Sequence, residues 1–297
     1  MPGVVPGMKR GLALIAVLLV AGCAGRAGGD TAVPAPAPTV SPAHLVPDGY
    51  TGRFQVTAAV LENAQHGPQL CTTMADSYPP QCGGPDVAGW HWDGVKYESA
   101  VKSKWGSYVL VGTFDGKTFT LTQPPRTPDE PTSTPDGQVK STTPCPAPAG
   151  GWKPVDAARA TDATFNDVVA KANADKDFGG LWIDEPAAAL DLTPHNDPRR
   201  MVLNVRYTKD LARHEADLRK IWGGALCVSP ARHTEAELRR IQDELTKEPG
   251  VVTSGTEPIS GVVTVGVYVA KESLQQDFDT RFGSGVVVLE GLLTPLD

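Results

Sequence analysis

The C-terminal half of this 297-residue chain resembles itself, and that restricts its fold more than any other feature. Met201-Val-Leu-Asn-Val-Arg-Tyr207 and Gly261-Val-Val-Thr-Val-Gly-Val267 lie 60 positions apart, with Leu203, Val205 and Tyr207 aligned to Val263, Val265 and Val267. Such alternation marks a strand, because successive side chains point to opposite faces. Each segment leads into a helical stretch. Leu211, Leu218 and Trp222 share a face of the first, and Leu274, Phe278 and Phe282 a face of the second. Both stretches end in an aromatic residue and glycine, Trp222-Gly223 and Phe282-Gly283, where glycine is expected to supply the left-handed turn that stops a helix. Apolar strands follow at 225–228 and 286–289.

The preceding helices match as well. Thr161-Asp-Ala-Thr-Phe165 resembles Thr234-Glu-Ala-Glu-Leu238 at an offset of 73, and Phe165, Val168 and Ala172 correspond to Leu238, Ile241 and Leu245. Thr234 with Glu237 has the capping-box pattern; Thr161 with Thr164 lacks it. The 13-residue difference between the two offsets falls in 184–200, which reads as an insertion. Strands at 180–183 and 251–254 precede the two loops. Each unit is α-β-β-α-β. Counted from the strand at Cys227, the order is β-α-β-β-α-β, that of the split βαβ or ferredoxin-like arrangement. The expectation for 151–297 is an α+β domain with two ferredoxin-like αββαβ repeats, 161–229 and 234–291, helices covering one face of a mainly antiparallel sheet.

Residues 49–122 have strand period and no helical period. Phe54, Val56, Ala58 and Val60 share one parity, more strand-like material lies at 87–92, 107–114 and 118–122, and Asp115-Gly116 is a strong hairpin signal. A small all-β domain is expected, an OB-like barrel or a sandwich. Gly116-Lys117-Thr118 mimics the end of a phosphate-binding loop, but the required glycine five residues earlier is Val111. Residues 123–150 hold eight prolines and no apolar run, and read as a linker between domains.

At the N-terminus, Met8-Lys9-Arg10 precedes a 12-residue uncharged, mostly apolar run at 11–22. It is too short to cross a bilayer, for which about 20 residues are needed, and suits a signal-peptide core. It ends in Val20-Ala21-Gly22-Cys23, small residues before a cysteine. This resembles the lipobox of bacterial lipoproteins. The resemblance implies that 1–22 is a signal peptide and that Cys23 carries diacylglycerol through a thioether. Two acyl chains suffice for stable anchoring, where one alone is marginal. Residues 23–48, rich in Pro and Ala, are expected to form a disordered stalk. The expected location is the extracytoplasmic face of the cell membrane, reached through the N-terminal lipid.

Four further cysteines remain: Cys71, Cys82, Cys145 and Cys227. An even number in an exported chain suggests disulfides, with three pairings available. The preferred pairing joins Cys71 to Cys82, stapling a small barrel, and Cys145 to Cys227, pinning the linker to the second domain. No cysteine has zinc-ligand spacing. Gly67-Pro68-Gln69-Leu70-Cys71, Pro79-Pro80-Gln81-Cys82-Gly83-Gly84 and Trp222-Gly223-Gly224-Ala225-Leu226-Cys227-Val228 are similar to segments of uncharacterised exported lipoproteins of high-GC Gram-positive bacteria. That resemblance implies secretion and two disulfides and names no activity.

Chemistry is sparse. With 27 Lys and Arg against 34 Asp and Glu, the chain lacks the positive field of nonspecific nucleic-acid binders. Gly283-Ser284-Gly285 is not a nucleophile elbow, and no H-E-x-x-H occurs. His214-Glu215 reads as a solvated helical face. Asp191, His195, Asn196 and Asp197, in the inserted loop, read as turn residues rather than metal ligands. No catalytic residue, metal site or cofactor is assigned. The candidate binding surface comprises Tyr78, in the proposed disulfide loop, with Trp90 and Trp92, which in a strand would share a face. The reading is a non-catalytic cell-envelope lipoprotein that binds an envelope protein or glycan. The alternatives are an envelope enzyme whose site is not legible in sequence, and an accessory or inhibitory module of the protease-propeptide kind.

Overall fold

A computed structural model describes residues 39–128, 142–185 and 197–296. The expected signal peptide and the lipobox Val20, Ala21, Gly22 and Cys23 lie outside the described residues, as do Asp191, His195 and Asn196. The first seven strands are β1 (Leu45–Val46), β2 (Phe54–Glu62), β3 (Gln69–Cys71), β4 (Asp86–Ala88), β5 (Glu98–Ala100), β6 (Ser103–Phe114) and β7 (Thr118–Leu121). β2 pairs with β3 and also with β6, and β3, β4, β7 and β6 complete the ring, so five strands close on themselves. Closure leaves those five strands no free edge. The alternation of β2 places Phe54, Val56, Ala58 and Val60 inside with Leu70, Leu110 and Phe119. Asp115 makes the expected β6–β7 hairpin, its Oδ1 accepting from the N–H groups of Lys117 and Thr118 at 2.8 Å each. The fold class is mixed α+β, with a closed barrel in keeping with the OB-like expectation.

The next elements are α1 (Asp162–Asn173), β8 (Phe178–Asp184), β9 (Val202–Tyr207), α2 (Leu211–Arg219) and β10 (Ala225–Pro230). Then come α3 (Glu235–Leu245), β11 (Val251–Glu257), β12 (Val262–Val267), β13 (Ala270–Lys271), α4 (Glu272–Phe282), β14 (Val287–Gly291) and β15 (Thr294–Pro295). β8 and β9 pair antiparallel and β9 and β10 parallel; β11, β12 and β14 do the same. The correspondence reaches single residues. The register shifts between Phe178 and Gly180 opposite Tyr207 and Arg206, and between Val251 and Thr253 opposite Val267 and Gly266. These are the offsets of 73 and 60 seen in sequence.

Three expectations are corrected here. The split ferredoxin-like pairing would set β10 between β12 and β14, but β14 lies directly beside β12, and β10 pairs with β9. Element order does not specify which strand is a neighbour, and each unit closes its own parallel pair. Thr161 and Thr164 do form a capping box: the Thr164 hydroxyl accepts from the Thr161 N–H at 3.2 Å, the role Glu237 plays for Thr234. The matched glycines also differ. Gly283 has φ +97° and ends α4, whereas Gly223 has no positive φ, and a Cβ there would strike the carbonyl oxygen of Asp156. Close packing, not turn geometry, requires Gly223.

The described residues form one compact unit, and the chain passes between its parts at both ends. Residues 43–46, expected in the stalk, are ordered: Ala43 bridges to Glu290, β1 pairs with β13, and Val46 enters the barrel core. At the other end β15 pairs with β2, and Leu293 joins the same core. Within the expected linker, Arg126 bridges to Val109, and Cys145 packs with Val202, Ala225, Cys227 and Trp152 on the face of β9 and β10 away from the helices. Both preferred disulfides, Cys71–Cys82 and Cys145–Cys227, are present, as befits an oxidising, extracytoplasmic compartment. Among the described residues, no helix is long and apolar enough to cross a membrane.

Candidate functional site

Two loops that meet on the outward face of Trp105 carry most of the large exposed apolar side chains among the described residues. Six large hydrophobic residues are exposed among the described residues, and four of them, Met74, Tyr78, Tyr97 and Val101, lie in loop 72–82 and on or beside the β5–β6 hairpin. Trp105 of β6 is the strut between the loops. Its outward face packs with Ala59, Leu61, Cys71, Cys82 and Ala100, and Tyr78 stands edge-on to its ring at 6.0 Å. Tyr78 remains 79% exposed, although Cys71–Cys82 fixes the loop that carries it. The β5–β6 turn is made by Val101 (φ 47°) and Lys102 (φ 65°). A left-handed backbone is unfavourable for any residue with a Cβ, and most of all for a β-branched one. This turn therefore holds an 82% exposed valine at a position that Asn or Gly would fill without strain.

Trp90 and Trp92 do not lie in a strand. β4 ends at Ala88, and Gly89, with φ +79°, turns the chain into a loop. The two rings meet edge-on at 5.1 Å, but not as an exposed pair. Trp90 is buried in the barrel core against Tyr108, while Trp92 is half-buried and donates its indole N–H to Glu62 at 2.5 Å. Tyr97 continues the series 5.1 Å from Trp92, with the Lys104 ammonium over both rings. Of the sequence candidates, Tyr78 is the surface residue, Trp92 backs the surface, and Trp90 is a core residue.

Beside the β6–β7 hairpin, a cleft of about 490 Å³ separates that hairpin from the second unit. Its aromatic lining is Tyr50, Phe54, Phe114 and Tyr268; Tyr50 meets Phe54 at 5.1 Å, and Phe114 meets Tyr268 at 5.5 Å. Asp48, Asp115 and Lys271 supply its charges. Hydrogen bonds from the Thr118 and Lys117 N–H groups hold the Asp115 carboxyl below the usual carboxylate range. Burial raises the Tyr268 hydroxyl.

One titratable cluster was not foreseen. His214 is 2% exposed, not solvated. It lies three residues after Leu211 and four before Leu218, on the inward stripe of α2, and that spacing is the signal that places it. Its ring stacks on Tyr207 at 3.8 Å, and Nδ1 faces Asp175 at 3.3 Å. Nε2 lies 2.8 Å from the Arg213 guanidinium, which can only donate, so the ring hydrogen sits on Nδ1. Asp177 is held by Lys176 at 2.8 Å and faces Lys209 at 3.4 Å and Arg213 at 3.9 Å. The Lys176 contact pulls its carboxyl below the ordinary range. The carboxylates and imidazole are close enough for a metal ion, but an ion would have to displace Arg213 from the ring and Lys176 from Asp177. The chemistry is that of an ion-pair network joining α2 to the turn before β8.

His91 is exposed in a groove of about 430 Å³ with Asp93 and Thr122, and no serine or cysteine lines that groove. No family model, curated protein or solved structure matches the chain.

Proposed function

We propose that this chain is an exported, lipid-anchored protein that works by binding, and that a protein partner docks on the barrel loops bearing Met74, Tyr78, Tyr97 and Val101. One observation carries the reading: of the six large hydrophobic residues exposed among the described residues, four sit on two neighbouring loops, one closed by a disulfide and the other turned through a strained valine. Solvent gives no reason to retain an apolar side chain there at a cost in backbone strain; a partner surface does. We read the barrel as OB-like, a frame that commonly binds through its loops, and the C-terminal part as a duplicated αββαβ unit supporting it. Anchoring through Cys23 rests on the lipobox resemblance, and export is further supported by the two disulfides.

Two experiments test the reading. Mass spectrometry of the native product is expected to find an acylated Cys23 as the first residue; a retained leader or an unmodified cysteine overturns the anchor. A photo-cross-linking residue at Tyr78 in the anchored protein is expected to give a discrete protein adduct that is lost when Val101 and Tyr97 are changed to Asn and Ala. The same probe at Val155, exposed elsewhere, is the control. Equal labelling from both positions, or adducts indifferent to the substitutions, refutes the docking surface.

A further inference from the structure

The cleft between the β6–β7 hairpin and the second unit is lined by none of the four docking residues, although Tyr268 on its wall hydrogen-bonds Thr72 at the base of loop 72–82, and its lining names a ligand class. We propose that it binds a neutral saccharide. Tyr50, Phe114 and Tyr268 are half-buried, so each offers part of a ring to the cavity. The Tyr50 hydroxyl donates to the Arg53 carbonyl at 2.9 Å, which fixes that ring. Both carboxylates are positioned through one oxygen. Asp115 uses Oδ1 for the two hairpin N–H groups, and Asp48 uses Oδ1 for the Ser273 hydroxyl at 2.5 Å. Both aspartates are exposed, so the second oxygen of each meets solvent at the rim. The Lys271 ammonium adds a donor at the same rim.

Elimination follows from charge and solvation. Two carboxylates against one ammonium disfavour a phosphate or other anion, and the Lys271 ammonium at the same rim offsets part of the attraction for a cation. A wholly apolar ligand would cover carboxylate oxygens and leave them without partners, at the cost of their hydration. A pyranose ring satisfies both parts of the lining: its C–H face lies on the aromatic rings, and its hydroxyls donate to the solvent-facing carboxylate oxygens and accept from Lys271. The volume of about 490 Å³ lies within the range of roughly 300–1,000 Å³ usual for small-ligand sites. Gly116 and Gly250, both with positive φ, turn the chain at the rim.

The test is calorimetric titration of the full mature chain with cellobiose, maltose and N,N′-diacetylchitobiose, with glucose 6-phosphate and a Lys-Arg dipeptide as charged comparators. At least one neutral disaccharide is expected to bind saturably at millimolar concentration or below. The Asp48→Asn, Asp115→Asn double variant is expected to weaken that binding by at least about tenfold, the effect of losing charge-assisted hydrogen bonds. Asn at 115 can still accept the hairpin N–H groups, so the variant keeps its fold, and an unchanged melting temperature verifies this. Tyr268→Leu should abolish binding; if that variant does not fold, the Asn variant decides. Tyr78→Ala should leave binding unchanged, which separates this site from the docking loops. No binding by any of the three disaccharides, unchanged binding in the Asn variant, or binding of a charged comparator alone overturns the proposal.

Discussion

The two disulfides close loops of very different length, and their removal should separate in energy accordingly. Cys71 and Cys82 are 11 positions apart, and Cys145 and Cys227 are 82 apart. If a cross-link acts mainly by restricting the unfolded chain, loop-closure entropy assigns about 2.8 kcal/mol to the short loop and about 4.5 kcal/mol to the long one at 25 °C. Native contacts add in the same direction. The segment that Cys145 anchors accepts the Trp182 indole N–H at the Thr142 carbonyl (3.2 Å) and donates the Thr143 hydroxyl to Asp184 (2.7 Å). Releasing it exposes Val202 and Ala225. The assay is urea unfolding of the Cys71→Ala, Cys82→Ala and Cys145→Ala, Cys227→Ala pairs, followed by tryptophan fluorescence. With a urea slope of about 3 kcal/mol/M, the midpoints should fall by about 0.9 M and about 1.5 M respectively. A larger loss for the short loop would refute the entropic reasoning and mean that the packing of loop 72–82 on Trp105 dominates.

Three further outcomes are expected. Arg206 is 4% exposed, has no carboxylate partner among the described residues and donates to the carbonyls of Pro230, Pro258 and Ile259, tying β9 to the β11–β12 turn. Arg206→Met removes a costly buried charge but orphans three carbonyls at about 1–3 kcal/mol each, so a net loss of roughly 2–4 kcal/mol is expected by denaturation; a variant as stable as the parent would show that the buried charge dominates. Thr164→Val should cost about 1 kcal/mol by removing half of the α1 capping box, whereas Thr164→Glu should retain most of it, both read from thermal melts. Burial pushes the Tyr207 hydroxyl up to about 12. The folded state therefore holds this proton more tightly than the unfolded chain. Its contribution is complete below about pH 10 and is lost as pH rises towards 12, so alkaline unfolding by circular dichroism should shift to higher pH in Tyr207→Phe.

Much of the fold is legible in the sequence because its determinants are local. The 60- and 73-residue offsets gave the αββαβ order and located matching strands, and Asp115-Gly116 placed the β6–β7 hairpin within two residues. Cys71 and Cys82 share a segment, which made their pairing, and by remainder that of Cys145 with Cys227, the preferred one of three. The candidate surface was legible only at Tyr78. Met74, Tyr97 and Val101 are ordinary residues in sequence and become a surface only when Trp105 brings their loops together. His214 was misplaced because the acidic neighbour Glu215 outweighed the Leu211–Leu218 stripe that carries it inward.

Periodicity, turn residues and export signals are properties of neighbouring residues, so the sequence alone determines most of the elements and their order and favours the two cross-links. Pairing and burial depend on what arrives from far along the chain. Only the tertiary structure decides that β14 sits beside β12, that Val46 and Leu293 complete the barrel core, and that a hairpin and a distant loop face each other across an aromatic cleft. Several partners satisfy the same local pattern equally well, and the choice among them is made by the packing of the whole.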